Sequence, residues 1–590
     1  MARCSRRNGL FFLSVLLLCT GHLPFPADGP WTPLFDGQQF TGWEGNEAVF
    51  RIEDGALVGG STTAPLPRNE FLCTTTSYDD YVLRLQFRLV GAATNAGVQF
   101  HSQRLPGSHE VVGYQADLGD GYWGALYDES RRDRVLARPE EATLARALHR
   151  DDWNDYALYT NGRRIRLFLN GVLTVDYIEP ETPIPQQGRV CLQIHSGPPG
   201  EAWYRNIELR TLDPKPETLF PAAAPDVRFR KHVLTPEFIA EALTAGDVDG
   251  DGDQDVVVGA YWYEAPNWVR HPFRPPGQFQ FHRGYGDAFI SFPLDVDQDG
   301  WLDVIQFDFP GKPAYWYRNP GPGETPWTRH LVHPGVRSES PRMEDMDGDG
   351  RGDLLFVDQH ARQVVWLESP DRPGDTTWVQ HALSTPFSDE RLGLLAHGMG
   401  SGDLDGDGHR DAFVVDAWFQ GGPDPRTGWA EFPATLGGPS AQMYAHDVDG
   451  DGDQDVISSS AHQHGIWWFE QQRSADGHRS WKQHTIEDRL GQTHALLVLD
   501  LNGDGFQDIL TGKRFFAHNG HDPGEYDPSL LLWFAGGRDA QGRPAWTPYV
   551  IDEDAGVGLQ VVVQDVIGDR RADLLFASKK GVFLFERVDP

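Results

Sequence analysis

The stretch DVDGDGDQD stands at Asp247–Asp255 and again, letter for letter, at Asp447–Asp455. Related loops begin at Asp295 (DVDQDGWLD), Asp345 (DMDGDGRGD), Asp403 (DLDGDGHRD), Asp500 (DLNGDGFQD) and Asp565 (DVIGDRRAD). A period of roughly 45 to 65 residues is the size of one supersecondary module. Every loop runs into a short β-type segment, such as VVVGAYWY or LLFVDQ, and an aromatic strand follows, such as WYEAP or WWFEQ. Several units close on a strand with a late histidine: WTRHLV, WVQHAL, WKQHTI. Four strands per unit and seven units predict a seven-bladed β-propeller over 226–590. FRKHVL precedes the first loop, and the last unit stops after its third strand. The N-terminal strand is therefore expected to complete the final blade and remove the open sheet edges.

In DxDxDGxxD the carboxylates at positions 1, 3, 5 and 9 can converge on one hard cation, with glycine allowing the sharp turn. An EF-hand requires Glu at position 12 and a following helix; here position 12 is Val258 or Ser458, and strands follow. The pattern instead resembles the FG-GAP/VCBS repeat, a calcium-loop blade also found in integrin α-chain propellers. The resemblance implies structural Ca2+ at about six sites. Their ligands would be Asp247, Asp249, Asp251 and Asp255; Asp295, Asp297, Asp299 and Asp303; Asp345, Asp347, Asp349 and Asp353; Asp403, Asp405, Asp407 and Asp411; Asp447, Asp449, Asp451 and Asp455; and Asp500, Asn502, Asp504 and Asp508. The seventh loop has Ile567 at position 3 and Arg570 in place of Gly, so it is expected to bind nothing.

If each acidic loop joins the first two strands of a blade, the opposite ends of those strands line the other mouth of the channel. Six residues before each loop stand Glu241, Phe289, Glu339, His397, Ala441, His494 and Leu559. The loops after the second strand bring Trp262, Asp416, Trp418, His462, His464, Lys513, Arg514 and His518 to the same face. Such convergence suits a ligand or metal site, against the plain alternative of solvated polar groups. His232, His330, His381 and His484 recur with the repeat and are expected to be structural.

The formal charge of −35 argues against nucleic acid or an anionic membrane surface as partner. Arg3, Arg6 and Arg7 precede the apolar run Phe11–Gly21, which is too short to span a bilayer and reads as an export signal over 1–28. Periplasmic or extracellular placement follows, with lipid anchoring at Cys19 disfavoured by Leu18 before it. No later segment resembles a transmembrane helix. Cys73 and Cys191 are the cysteines left after such a signal, either paired or as two buried thiols.

Residues 32–212 have another rhythm. YVLRLQFRLV (81–90) and RIRLFLNGVLTVDY (164–177) alternate apolar and polar positions, and Asn161-Gly162 and Asn170-Gly171 are hairpin turns. This predicts an antiparallel β-sandwich, followed by a Pro-rich linker at 213–225. LFDGQQFTGWEG (34–45), NAGVQFHSQ (95–103), GYQADLGDGYWGALYDES (113–130), DWNDYALYTNG (152–162) and GRVCLQIHSGPPGEAWYRNIEL (188–209) occur in that order. Together they resemble the 3-keto-disaccharide hydrolase domain, a concanavalin-like sandwich. Gln115 stands where that family usually has an acid after GY, and NAGVQFHSQ departs from its commoner form.

The resemblance implies cleavage of glycosidic bonds in 3-keto sugars. A ketone at C3 acidifies the C2 proton, and the glycosidic oxygen then leaves C1 by elimination. That route needs a base, a group polarising the ketone and an acid. By type and placement the candidates are His195 as base or acid with Asp117 or Glu129 as partner. Arg205, or a divalent ion in its stead, would polarise the ketone. Asn95, Gln115 and Tyr127 would bind hydroxyls, and Trp123 would stack on a sugar ring. The expected fold is thus all-β, a concanavalin-like sandwich followed by a calcium-loaded propeller. The expected partner is a carbohydrate substrate or glycan surface, with a protein partner for the propeller also open. Two alternatives stand beside the enzyme reading: a non-enzymatic glycan adhesin, and catalysis at the propeller mouth.

Overall fold

A computed structural model describes residues 30–588 apart from 106–107, 213–219, 221–226, 282–283, 323–325, 519–521 and 526. The expected signal segment with Cys19, and all of the linker except Phe220, lie outside the described residues. The alternation in Tyr81–Val90 sends Tyr81, Leu83, Leu85 and Phe87 into a core and leaves Arg84, Gln86 and Arg88 on the other side of the strand. Two antiparallel sheets enclose that core. In the eight-stranded sheet the order runs Val172–Ile178, Arg164–Leu169, Asn154–Asn161, Tyr81–Val90, Gly200–Thr211, Ala56–Ser61 and Phe50–Glu53, with Thr32–Pro33 beside Gly200–Thr211. The seven-stranded sheet runs Arg134–Ala137, Leu126–Glu129, Val111–Leu118, Ala96–Arg104, Gly188–Ile194, Glu70–Tyr78 and Trp43–Glu44. Asn170 and Gly171 both take positive φ between paired strands, as a tight hairpin turn requires.

Beyond the linker the described residues form five four-stranded antiparallel sheets and one of eight strands, in which the second and third blades are joined through the pair Val336 and Asp358, making seven blades in all. The first comprises Leu243–Gly246, Asp255–Val258, Tyr261–Glu264 and Val269–Pro272, so the acidic loop does join the first two strands. In the last unit Arg228–Thr235 pairs with Gly581–Val588, which confirms closure by the N-terminal strand. Neighbouring blades meet at their inner strands: Glu241 N–H donates to Ala288 O (3.1 Å), and Leu559 N–H donates to Glu241 O (2.9 Å), bringing the seventh blade to the first. A Cβ on Gly558 would lie 2.1 Å from Glu241 O, so only glycine permits that approach.

The recurring histidines are tied into the blades. Trp316 stacks on His330 (4.4 Å), Trp366 on His381 (4.5 Å) and Trp468 on His484 (4.3 Å). His232, His381 and His484 also bond Glu586, Glu368 and Glu470. These contacts account for the histidines as structural.

Cys73 and Cys191 face each other across neighbouring strands and form a disulfide that closes a 118-residue separation. Replacing both with Ser is expected to lower stability by about 4 to 5 kcal/mol on the loop-entropy rule. The denaturant midpoint of the full chain reads this directly; an unchanged midpoint would mean the bond contributes nothing.

The linker separates the two parts in sequence but not in space. Val82, Ala157, Tyr159 and Phe168, on the outer face of the eight-stranded sheet, pack on Phe515, Phe516 and Phe281 of the propeller. Phe220 is buried edge-on against Phe534. Arg210 of the sandwich donates to Asp522 O (3.0 Å). The docking uses the eight-stranded sheet, whereas the candidate carboxyls lie on the seven-stranded one.

Candidate functional site

Residues of one parity on the seven-stranded sheet avoid the sandwich core and build a polar face. Pairing sets Gln193 beside Gly97 and Asp117 in one row, and Cys191 beside Gln99, Gln115 and Tyr127 in the next. Glu129 is paired with Gly113 and shares this face. Gly97 makes room for Gln115: a Cβ there would sit 2.5 Å from Gln115 Cδ. Gln99 Nε2 donates to Gln115 Oε1 (3.1 Å), and Gln115 Nε2 donates to Asp117 Oδ1 (3.0 Å). Leu118 N–H donates to the same Oδ1 (3.2 Å), leaving Oδ2 for a substrate proton.

Burial pushes the Asp117 carboxyl up to about 7, with the Glu129 charge adding to it against those donors. Burial also pushes Glu129 to about 7, helped by Glu110, Asp133 and Asp128. His195 follows Gly188–Ile194, one pleat beyond Gln193, and is exposed. Its Nδ1 bonds the Ser196 carbonyl (2.7 Å); a carbonyl only accepts, so Nδ1 carries the proton. In the neutral ring Nε2 is then a free lone pair. Tyr122, 39% exposed, meets Tyr127 edge-on at 6.4 Å and offers an aromatic wall. The side-chain amide of Gln193 is buried with no partner among the described residues, as is Gln99 Oε1.

Two candidates lie elsewhere. Arg205 is on the outer face of the opposite sheet, bonded to Gln86 (2.8 Å) and over the Trp153 ring (3.8 Å), so the core separates it from Asp117. Trp123 is a core residue, 8% exposed and stacked on Phe87 (6.2 Å), with its indole N–H on Asp120. It cannot also stack on a sugar. Asn95 is half-buried beside the site, where its carbonyl accepts from His195 N–H (3.0 Å).

At the propeller mouth the structure brings most of the expected groups together. Arg514 bonds Glu241 (2.9 Å), both almost fully buried, and lies 3.8 Å from Glu339. His397 Nε2 is 3.1 Å from Glu339 Oε2 and 3.2 Å from His462 Nε2. Lys513 is buried, donating to Glu525 O, and His464 packs beside Gly524 and Gly491. Trp262 and Trp418 do not reach the mouth: they lie in third strands, stacked on His271 (4.5 Å) and Phe432 (4.9 Å). Asp416 pairs with Arg391 instead (2.8 Å).

In the acidic loops the ninth residue has a role that its position alone did not suggest. Asp255 accepts Val248 N–H (3.0 Å) on one oxygen and Ala265 N–H (2.9 Å) on the other, clamping the loop to the third strand. The same clasp recurs in the seventh loop, where Asp573 accepts from Val566 and Arg587. Ligand atoms of Asp247, Asp249 and Asp251 lie within 4.8 Å of one another, as do those of Asp295, Asp297 and Asp299, and of Asp345, Asp347 and Asp353. The donor sets fit a hard cation.

Residues 30–210 match the family model of the 3-keto-alpha-glucoside-1,2-lyase-like domain, 240–266 that of the FG-GAP repeat, and 295–356 and 447–511 that of the FG-GAP-like repeat. The chain joins a 3-keto-alpha-glucoside-1,2-lyase-like domain to FG-GAP repeats. A carbohydrate-related function follows from the lyase-like domain. No curated protein matches the chain. Among solved structures, it is similar to a candidate glycosyl hydrolase from Parabacteroides distasonis at 19% identity, over 31% of this chain and 95% of that one, with a TM-score of 0.25. It is also similar to the carbohydrate-binding module CBM66 from Bacillus subtilis at 13% identity, over 32% of this chain and 100% of that one, with a TM-score of 0.23. A Bacillus subtilis protein with a galectin-like fold is similar at 10% identity, over 32% and 99% of the two chains, with a TM-score of 0.26.

Within the lyase-like domain the structure adds Gln99, Gln193, Glu110 and Tyr122 to the expected residues. Strand parity was the available signal for Gln99 and Gln193, which alternate with the core residues Val98, Phe100, Leu192 and Ile194.

Proposed function

We propose that the lyase-like domain cleaves glycosidic bonds of 3-keto sugars on the polar face of its seven-stranded sheet. The observation that supports this reading is the pair Asp117 and Glu129, two carboxyls on one face, with Asp117 anchored through a single oxygen. Asp117 takes the C2 proton, electron density moves onto the C3 ketone oxygen, and this reading assigns the Gln193 amide N–H as its donor. The C1–O bond then breaks, the leaving oxygen takes a proton from Glu129, and a C1=C2 double bond conjugated to the ketone remains. His195 Nε2 delivers a water that can add to C1, giving net hydrolysis. With Arg205 on the other face, the alternative electrophile would be a divalent ion polarising the ketone oxygen.

The calcium-loaded propeller is the accessory part of this reading, and the disulfide supports an exported protein, because such bonds persist in oxidising compartments. Among the described residues no helix is long and apolar enough to cross a membrane. The test incubates the full chain with a 3-keto-glucoside and follows the conjugated enone and the free aglycone, with and without EDTA. Release supports the enzyme, and a loss in EDTA that Ca2+ alone does not restore supports the ion. Binding without product favours the adhesin. The ionised-Asp117, protonated-Glu129 form is most populated near pH 7, so kcat/KM is expected to be bell-shaped about that value, with apparent limits belonging to the pair. A rate flat from pH 5 to about 9 would remove both carboxyls from the chemistry.

A further inference from the structure

Three equivalent positions, each just before the innermost strand of a blade, supply Glu339, His397 and His494. Their ligand atoms lie within 4.8 Å of one another. The fifth blade has Ala441 at this position, and His462 from its next loop stands beside His397.

The hydrogen bonds set the tautomers. His494 Nδ1 bonds the Gln492 carbonyl (3.2 Å), so Nδ1 carries the proton and Nε2 is a bare lone pair. That Nε2 is buried, on a residue 3% exposed, and has no partner among the described residues. Glu339 Oε2 is likewise buried with no well-directed donor. His494 Nε2 thus has no donor, and Glu339 Oε2 has only the His397 ring (3.1 Å) and Arg514 (3.8 Å) near it, an arrangement that a cation or a water in the space would relieve. His462 and His518 both present Nδ1 to the Asp522 carboxylate, which turns the Nε2 lone pair of His462 toward His397. A carboxylate behind an imidazole in this way orients a metal ligand and raises its basicity. Arg210 of the sandwich holds the Asp522 carbonyl, so the cluster lies where the two domains meet.

The spacing suits coordination. Ligand atoms about 2.1 Å from one ion and about 100° apart are about 3.2 Å from each other. The observed separations are 3.1 Å for Glu339 Oε2 to His397 Nε2 and 3.2 Å for His397 Nε2 to His462 Nε2. Arg514 gives one nitrogen to Glu241 (2.9 Å) and holds its Nη1 3.8 Å from Glu339 Oε2, so an ion would share the Glu339 carboxylate with that guanidinium.

We propose that the propeller mouth binds one borderline divalent transition ion of the Zn2+ kind, held by Glu339, His397 and His494 with His462 as the fourth ligand. Imidazole nitrogen selects such an ion over Ca2+, which takes the all-oxygen blade loops. Asp522 is the positioning residue behind His462.

The experiment uses tag-free full-length protein, dialysed against Zn2+ in excess Ca2+ and then against Ca2+ alone, with bound zinc read by mass spectrometry of the elements. About one zinc per chain is expected to remain. His397→Ala/His494→Ala is expected to lose it, and Glu339→Gln, which keeps the side-chain shape, to retain it at least roughly ten-fold more weakly. Asp522→Asn is expected to weaken zinc binding by about 10- to 100-fold without removing it. Thermal melting confirms that each variant is folded. The site is overturned if the wild-type chain retains no zinc, leaving a water between Glu339 and His494, or if folded double-variant protein retains as much as wild type.

Discussion

Asp117→Asn is expected to lower turnover of a 3-keto-glycoside by roughly 100- to 10,000-fold, the range for losing a general base. The substitution keeps the shape of the side chain and can still accept Gln115 Nε2–H and Leu118 N–H on its oxygen. The folded protein already disfavours the charge at this position, chiefly through burial. Asn should therefore leave the melting temperature unchanged or slightly raised above neutral pH, and a large loss of rate would be chemical rather than structural. Arg205→Ala is the control. Its partners Gln86 and Trp153 lie on the other face, so turnover is expected to stay within about two-fold of wild type, far below the loss of a catalytic group. Full activity in Asp117→Asn would move the base to His195, and the same assay of His195→Ala would then decide. Loss of activity in Arg205→Ala at unchanged melting would contradict the assignment of the site to the seven-stranded sheet.

The difference between Asp117 and Arg205 shows how far the sequence could be read. Repetition is legible: seven acidic loops, each followed by short strands, give the blade count, and the unpaired FRKHVL strand gives the closure. Alternation within a strand is legible too, so the side of Tyr81–Val90 facing the core follows from its pattern. Alternation does not say which of two stacked sheets a strand joins. Arg205 and Asp117 both point away from a core, but from opposite sheets. Trp123 was misread for a related reason. It sits in a turn with no period, and the chain there dips inward far enough to stack the indole on Phe87. At the mouth, counting back from each loop found Glu339, His397 and His494 because the blades are geometric repeats. Asp522 lies outside that count, and only the folded loop carries its carboxylate to His462 and His518.

Removing calcium is expected to lower the melting temperature of the propeller by more than about 10 °C and to reverse the sign of its dependence on pH. A site held 100-fold above its dissociation constant contributes about 2.7 kcal/mol, and several sites act together on one ring. Loops one and five depend most on an ion, since among the described residues Asp247, Asp249 and Asp251, and likewise Asp447, Asp449 and Asp451, accept from backbone amides alone. Loop two depends less, because Arg318 already bridges Asp297 and Asp299. Without an ion, burial holds the clasp carboxyls high: Asp255 at about 6, and Asp303, Asp353, Asp411 and Asp455 at about 7. The folded chain then keeps protons that the unfolded chain releases, so its stability rises as pH falls from 8 toward 5 and is lost as pH climbs through those values. With calcium present, acid competes with the ion for the same oxygens and the slope turns the other way. Melting curves across that range, with calcium and with EGTA, give both slopes in one experiment. Coincident curves would mean that the loops hold the blades by their hydrogen bonds alone, with Asp573 of the seventh loop, which already does so, as the pattern for the other six.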